Sequence, residues 1–306
     1  MRVALMIEGQ EDVTWEDWVA LADACERSGI EALFRSDHYV SVMGEGERGS
    51  LDAWATINAL AARTTTLRLG TMVSPTSFRH PSILAKAATT ADHVSDGRIE
   101  LGMGTGWSEI EHSAYGFPFH SMKERMDVLE EQLAIVHDGH WGEGGFSFHG
   151  DHYTLIDLDA RPKPVQRPHP PLIMGGGAGP RAARLAARFA DEYNTNFVAP
   201  DEVARRKANI DAACEKAGRE PIPFSFMSGT LIGADEAAVA ERRRELEAWA
   251  SAPDPETGFV GTVDQVAARI KEYEAVGVSR VYLQYLLHRD VETVELIGRE
   301  LVPALA

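Results

Sequence analysis

Residues 67–104 read LRLGTMVSPTSFRHPSILAKAATTADHVSDGRIELGMG. The apolar run at residues 67–73 predicts a strand that ends at Pro75, and Pro81 opens a helix that reaches about Val94. Asp96-Gly97 then turns the chain into a second strand at residues 98–104. Two buried strands joined by a helix form the βαβ unit of parallel sheets. This stretch therefore places the chain in the α/β class.

The same alternation of strand and helix continues on both sides of this unit. Strands are predicted at residues 2–7, in a run that ends at Asp37-His38, and at residues 67–73, 98–104, 172–174, 192–197, 224–232 and 280–284. Helices are predicted between Thr14 and Gly29, between Ser121 and Gly139, and at residues 51–63, 81–94, 181–190, 202–217, 236–249, 263–276 and 291–301. Eight alternating units favour a (β/α)8 TIM barrel over a doubly wound sheet. The dinucleotide fingerprint G-x-G-x-x-G is also missing after the first strand, where residues 8–12 read EGQED.

The composition does not shift along the chain, so residues 1–306 are expected to form one domain. The alternation breaks only between residues 140 and 171, where aromatic and polar stretches precede a proline-rich run. We interpret this segment as an inserted hairpin and connector before the fifth strand.

Composition and charge exclude several functions. The formal net charge is −17, with 30 basic and 47 acidic residues, which disfavours binding to nucleic acid. Cys25 and Cys214 lie far apart on predicted helices, which suits a reducing cytoplasm rather than a disulfide framework. No apolar run is long enough to span a membrane, so a cytoplasmic location is expected. No metal-binding motif is present, since Glu111-His112 and the pair His149 and His152 stand alone in loop-like sequence.

In a (β/α)8 barrel, the carboxyl ends of the strands meet at one rim, where the chemistry of such enzymes takes place. The second strand delivers Asp37 and His38 to this rim. A histidine can exchange a proton near neutral pH, and a neighbouring carboxylate can orient it. The alternative is a strand-end histidine bonded to backbone, with the aspartate capping a turn.

Two glycine-rich stretches also lie at the predicted rim. Gly175, Gly176 and Gly177 lead from a strand into a helix, and backbone amides in such a turn bind phosphate groups. A flexible turn is the alternative. The run LGMGTGW at residues 101–107 has glycines at alternate positions. Such a pattern lets a flat ring lie against the backbone. The alternative is that tight packing in the barrel requires small residues there.

Taken together, these motifs resemble the bacterial luciferase-like superfamily, and within it the branch that uses the deazaflavin coenzyme F-420. The resemblance rests on Ser36-Asp37-His38, on residues 69–81, on residues 101–107 and on Met174 to Gly177, and it covers essentially the whole chain. It implies that His38 is the catalytic histidine. It also implies a bulge at Met72-Val73, often with a cis peptide bond. The cofactor-binding residues that it implies are Asp37, Met72, Val73, Thr105, Gly106, Gly175, Gly176 and Gly177.

The substrate-pocket candidates are Tyr39, Trp107 and Arg79. Trp107 is either a pocket wall or a packing residue, and Arg79, after the third strand, either binds an anionic substrate or cofactor tail or is a solvated rim group. Trp107 departs from the branch members that oxidise sugar phosphates, which carry a glutamate there, so that substrate is not carried over. Specificity is expected to lie in three loops after the strands, at residues 39–50, 107–120 and 251–261.

The expected activity is hydride transfer between F-420 and a small organic substrate. One alternative is an FMNH2-dependent two-component monooxygenase supplied by a separate reductase. A second alternative is a flavin-binding barrel without catalytic activity. Homodimerisation is implied by the resemblance alone.

Overall fold

The computed structural model describes residues 1–43 and 48–306. Eight parallel strands close into a barrel, which confirms the predicted fold. Its eight strands are β1 (Arg2–Ile7), β2 (Ala32–Arg35), β3 (Arg68–Thr71), β5 (Ile99–Gly104), β8 (Leu172–Gly175), β9 (Glu192–Asn196), β10 (Phe224–Gly233) and β12 (Arg280–Gln284). Four more strands lie outside this ring: β4 (Ser74–Pro75), β6 (Phe146–His149), β7 (Thr154–Leu158) and β11 (Phe259–Thr262).

Helices follow most of the barrel strands and pack around them. They are α1 (Trp15–Ser28), α2 (Ala53–Arg63), α3 (Pro81–Ser95), α4 (Glu109–Tyr115), α5 (Met122–Ala134), α6 (Pro180–Phe189), α7 (Pro200–Lys216), α8 (Glu236–Glu247), α9 (Val263–Ala275), α10 (Val291–Leu296) and α11 (Val302–Ala304). Two π-helical segments, Ile135–Trp141 and Ile297–Leu301, extend α5 and α10. Within the described residues, no helix is long and apolar enough to cross a membrane.

The barrel closes between its first and last strands, where Arg2 lies opposite Arg280, and between β9 and β10. Local signals set the ends of several helices. Thr14 and Asp17 form a capping box at the start of α1, and Gly29 ends that helix with a φ of 83°. Asp96 takes a left-handed conformation after α3 with a φ of 55°. These are the turn and cap residues from which the alternation was predicted.

The prediction that Gly139 ends the helix that follows Ser121 is wrong. The backbone continues as a π-helix to Trp141, and Gly139 is buried within it. A Cβ atom at Gly139 would lie 2.7 Å from Cδ1 of Phe146 in β6. The glycine therefore serves close packing against the insertion rather than ending the helix.

The insertion contains the predicted hairpin, in which β6 and β7 pair antiparallel. Glu131 of α5 holds its turn, because the carboxylate accepts hydrogen bonds from the backbone N–H groups of Asp151, His152 and Tyr153. Outside the ring, β11 pairs parallel with the outer half of β10.

The barrel interior is layered along its axis. At the amino ends of the strands, Arg280 donates to Glu100 and approaches Glu192. An apolar layer comes next and contains Ala4, Met6, Ala32, Phe34, Met72, Ile173, Met227 and Tyr282. Above it, at the carboxyl ends of the strands, the interior opens into a cavity.

Candidate active site

The cavity at the carboxyl ends of the strands has a volume of about 570 Å³. This size lies within the range typical of small-molecule sites. Eight residues of the predicted site line it: His38, Met72, Val73, Thr105, Gly106, Trp107, Gly175 and Gly176. The structure therefore brings together residues from the ends of four strands, although they lie between positions 38 and 176 of the chain.

His38 lies on the cavity wall and is paired with a buried carboxylate. Its Nδ1 atom is 2.5 Å from Oε1 of Glu111, and the two side chains are 13% and 1% exposed. Oε2 of Glu111 accepts a hydrogen bond from the backbone N–H of Tyr39. Glu111 thereby fixes both the ring of His38 and the backbone that follows it.

This pairing changes the protonation of His38. Burial by itself would lower the pKa of the imidazole, but the hydrogen bond and charge of Glu111 outweigh burial and raise that pKa. Glu111 occupies Nδ1, so Nε2 is the ring nitrogen left for a molecule in the cavity. The pair can therefore hold a proton at Nε2 and release it there.

Asp37, by contrast, points away from the cavity and does not orient His38. Its Oδ2 atom accepts from Nη1 of Arg79 at 2.6 Å, and Arg79 also bonds Asp52 and the hydroxyl of Tyr39. Burial alone would lower the pKa of Arg79, but Asp37 and Asp52 outweigh burial and raise it. This network anchors the loop after β2 from outside the barrel.

Of the predicted site, Asp37, Tyr39, Arg79 and Gly177 are not among the residues that line the cavity. The roles assigned to them, cofactor contact for Asp37 and Gly177 and substrate contact for Tyr39 and Arg79, stay predictions. Arg79 and His80 line a separate cavity of about 380 Å³ between α5 and the segment before α3.

The Met72-Val73 peptide bond is cis, as the resemblance implies. The neighbouring strand β5 carries glycines where this bulge approaches it. A Cβ atom at Gly102 would lie 2.1 Å from the carbonyl oxygen of Thr71, and one at Gly104 would lie 2.6 Å from Cγ2 of Val73. The alternate glycines of β5 are therefore required by the close approach of the bulge.

The glycine loop at residues 175–177 lies between β8 and the amino end of α6. Gly176 has a φ of 136°, a conformation that favours glycine. A Cβ atom at Gly177 would meet no atom within 4 Å, so that this position faces open space. The ten-residue helix α6 begins at Pro180 just beyond, and its amino end adds a favourable dipole for an anion.

Several lining residues were not predicted from the sequence. They are Glu8, Pro75, Asn196, Phe197, Met227 and Gln284. Glu8 follows β1 directly and Gln284 ends β12, so the rule that rim residues lie at strand ends would have found both. Trp107 is 63% exposed, and its ring centroid lies 5.5 Å from that of His38.

Glu111 was also missed, because Glu111-His112 was interpreted as loop-like sequence. The two residues lie in α4, which is flanked by Ser108 and Gly116, and both are buried. Those flanking residues were the available signal for a short helix. Both ring nitrogens of His112 are engaged within the protein, because Nε2 bonds the hydroxyl of Ser77 and Nδ1 bonds the carbonyl of Ser108. Among the described residues, no group of three potential ligands could hold a metal ion.

Three loops were predicted to set specificity. The loop at residues 107–120 contributes Trp107 to the barrel cavity, and the loop at 251–261 lines a neighbouring cavity. The loop at residues 39–50 contributes Val42 and Met43, while its residues 44–47 lie outside the described part of the chain.

Comparison with known proteins places this arrangement in a family. An FMNH(2)-dependent dimethylsulfone monooxygenase of Pseudomonas putida is 31% identical, over 92% of this chain and 86% of that protein. An F420-dependent glucose-6-phosphate dehydrogenase of Segniliparus rotundus is 27% identical, over 92% and 91%. A solved F420-dependent secondary alcohol dehydrogenase, in complex with an F420-acetone adduct, has the same fold, with a TM-score of 0.84, 20% identity and coverage of 100% and 99%. The family pattern described as luciferase-like monooxygenase matches residues 1–259, and the chain belongs to that family of oxidoreductases.

Proposed function

We propose that this enzyme transfers a hydride between coenzyme F-420 and a small organic substrate. The observation that carries the proposal is the pair of His38 and Glu111 on the wall of the barrel cavity. Hydride transfer to or from a carbon that bears oxygen requires a proton to move on that oxygen. A histidine held by a buried carboxylate is suited to give and take this proton.

The residues around the cavity fit a flavin-type cofactor. The bulge at Met72-Val73 and the segment Thr105-Gly106 would hold the ring, and Gly175 to Gly177 with the amino end of α6 would hold its phosphate. Gly104, which lines the cavity, leaves the wall beside the bulge free of a side chain. When bound, F-420 supplies a ring carbon that accepts or donates a hydride and that reacts poorly with oxygen.

The roles of the chain's own residues follow from their contacts. Nε2 of His38 would hold the proton that moves to or from the substrate oxygen. Glu111 would keep the opposite ring nitrogen occupied and would stabilise the protonated ring. Trp107 would cover His38 and limit the access of water.

A second candidate function is an FMNH2-dependent monooxygenase supplied by a separate reductase. Its support is the similarity to the dimethylsulfone monooxygenase over most of both chains. In that case His38 would act as a hydrogen-bond donor toward the flavin, and the same cavity residues would hold FMN. Homodimerisation remains a prediction for either function.

The two functions are distinguished by binding titrations with F-420 and with FMN, followed by assays. Tight binding of F-420, with a change in its fluorescence, and turnover with a panel of alcohols and ketones would support the proposal. Tight FMN binding without any response to F-420 would overturn it. Oxygen consumption with chemically reduced FMN would then favour the monooxygenase, and its absence with every donor would favour a barrel without catalytic activity.

A matched pair of variants tests the role of His38. His38→Ala should abolish most turnover, whereas His137→Ala should leave it unchanged. His137 also lies within hydrogen-bond distance of a carboxylate, Asp138, but the pair is outside the cavity. Equal activity of the two variants would contradict a proton-transfer role for His38.

A further inference from the structure

The barrel cavity continues into a second cavity of about 250 Å³. Met43, Phe197 and Gln284 line both, so the two spaces are neighbours. None of the residues predicted to bind the cofactor lines the second cavity. If the cofactor takes the barrel cavity as proposed, the second cavity is the adjacent space in which the rest of a substrate can lie.

The outer wall of the second cavity is close-packed rather than loose. Pro253 lies so close to β10 that a Cβ atom at Gly229 would be 2.9 Å from Cβ of Pro253. A Cβ atom at Gly258 would be 2.8 Å from the carbonyl oxygen of Asp254. Glycine at these two positions lets the loop pack directly on the strand, which gives the cavity a defined shape.

The charges around the second cavity and at its junction with the barrel cavity, away from the glycine loop, are unusual for a site that binds an anion. In the described part of the chain, neither cavity is lined by lysine or arginine. The barrel cavity contains Glu8, whose two carboxylate oxygens accept hydrogen bonds from the amide groups of Gln10 and Gln284. The second cavity contains Asp254. The positive charge that His38 can carry is already matched by Glu111.

An anionic substrate would therefore lose its hydration and meet two carboxylates without gaining a cation. The remaining lining favours an uncharged molecule. Met43, Phe197, Leu246 and Leu286 supply apolar surface. Ser228 supplies a buried hydroxyl group, and the described residues offer its oxygen no hydrogen-bond partner. A buried hydroxyl of this kind is satisfied when a ligand brings its own polar atom.

We propose that the second cavity, together with the adjoining part of the barrel cavity beside Glu8, forms a compartment for a small uncharged substrate with an apolar body and one hydrogen-bonding oxygen. Glu8 and Asp254 disfavour phosphorylated, sulfonated and carboxylated substrates there, whereas the phosphate of the cofactor would lie at Gly175 to Gly177, which do not line the second cavity. Phe197, at the junction of the cavities, is a specificity-determining position. This inference deepens the proposed function and rests on it for assigning the barrel cavity to the cofactor.

Binding of a matched ligand pair tests the inference without requiring turnover. Cyclohexanecarboxamide and cyclohexanecarboxylate have nearly the same shape and differ in charge. Saturation-transfer NMR would compare them on the protein loaded with whichever of F-420 or FMN binds it. We expect the amide to bind about tenfold more tightly than the carboxylate, or more. Comparable or tighter binding of the carboxylate, or binding of neither ligand, would overturn the inference.

Two substitutions at Phe197 test whether the preference for the uncharged ligand arises inside the compartment. Phe197→Lys places a cation at the junction and should raise the affinity for the carboxylate about tenfold, whereas the neutral control Phe197→Gln should not. Phe197 is 46% exposed, so neither change opens a core cavity. An equal gain in both variants would contradict a charge-based mechanism.

Ser228→Ala should weaken binding of the amide severalfold while leaving the fold intact, because the hydroxyl has no partner to lose. Unchanged amide binding would show that the hydroxyl of Ser228 does not bond the ligand, and it would overturn that part of the inference. If F-420 fails to bind but the preference for the amide persists on the FMN-loaded protein, the proposed hydride transfer is wrong and the substrate class stands.

Discussion

Both ends of the barrel interior contain buried carboxylates, but the groups that bond these carboxylates differ between the two ends. At the amino ends of the strands, Glu100 bonds Arg280 and Arg68, and Glu192 accepts from the hydroxyl of Tyr282. At the carboxyl ends, Glu111 bonds a histidine, and the partners of the Glu8 carboxylate among the described residues are neutral amides. Arginine side chains neutralise the carboxylates at the amino ends. Within the described part of the chain, the carboxylates of Glu111 and Glu8 have no such permanent cation among their hydrogen-bond partners, so they can take part in proton exchange or in the selection of ligands.

The pKa values follow this division. Burial alone would raise the pKa of Glu100, but Arg280 and Arg68 outweigh burial and lower it. Glu100 therefore stays ionised and serves stability. His38 has a raised pKa because the hydrogen bond and charge of Glu111 outweigh burial, so His38 holds its proton to higher pH than an isolated histidine does. Substitutions at the two ends should accordingly affect different properties.

The largest effect is expected for Arg280→Met. This change leaves Glu100 and Glu192 buried without their shared cation, and breaking such a network typically costs about 3–5 kcal/mol. Urea denaturation would measure the free energy of unfolding. Arg27→Met is the control, since Arg27 and Glu295 form a surface pair that solvent screens and whose loss should change the free energy of unfolding far less. Similar losses in both variants would contradict the distinction between the buried network and surface pairs.

His38→Ala should lower kcat by about a hundredfold or more, because the cavity loses its proton-exchanging group. The stability of the variant should change far less than that of Arg280→Met, since His38 lies at the edge of a cavity rather than in the core. Steady-state kinetics and urea denaturation on the same samples would separate the two properties. A variant that unfolds as easily as Arg280→Met would show that His38 has a structural role.

Glu111→Gln should have a smaller effect on activity, about tenfold near neutral pH, together with a change in pH dependence. The amide can still accept from Tyr39 but no longer stabilises the protonated imidazole, so the pKa of His38 should fall. The limb of the kcat/KM profile that reports this group should move to lower pH. A profile that keeps its shape and position would exclude Glu111 as the residue that tunes His38.

The smallest effect concerns the pH dependence of stability. Because folding raises the pKa of His38, the folded state binds this proton more tightly than the unfolded state. The resulting stabilisation is fully present below the ordinary pKa of histidine, about 6.5, and is lost as pH rises through the raised value. Urea denaturation at a series of pH values should show this decline in the parent enzyme and a flatter dependence in Glu111→Gln.

The fold was predictable because its signals are local. The strand at residues 98–104 and the helix from Pro81 are specified by apolar periodicity and by adjacent turn residues. The π-helical continuation past Gly139 was not predictable, since the reason for that glycine is its contact with Phe146 in the insertion. A glycine required for packing and a glycine that ends a helix look the same in a sequence.

The site was predictable only in part. Strand-end positions led to His38, Gly175 and Gly176, and the family resemblance to Met72 and Val73. The partner of His38 was not found, because Glu111 lies 73 residues further along the chain. The adjacent Asp37 was the nearer candidate, but residues next to each other at a strand end point in opposite directions. Ser36 and His38 face the cavity, and Asp37 turns outward to Arg79.

The position of the second cavity has a consequence for how this enzyme can change. Its outer wall is built from the loop before β11, which supplies no group to the pair of His38 and Glu111. Insertions or substitutions in this loop can therefore reshape the space for a substrate while the proton-exchanging pair keeps its geometry. A library confined to residues 251–257 would vary which molecules are accepted without first having to restore catalysis.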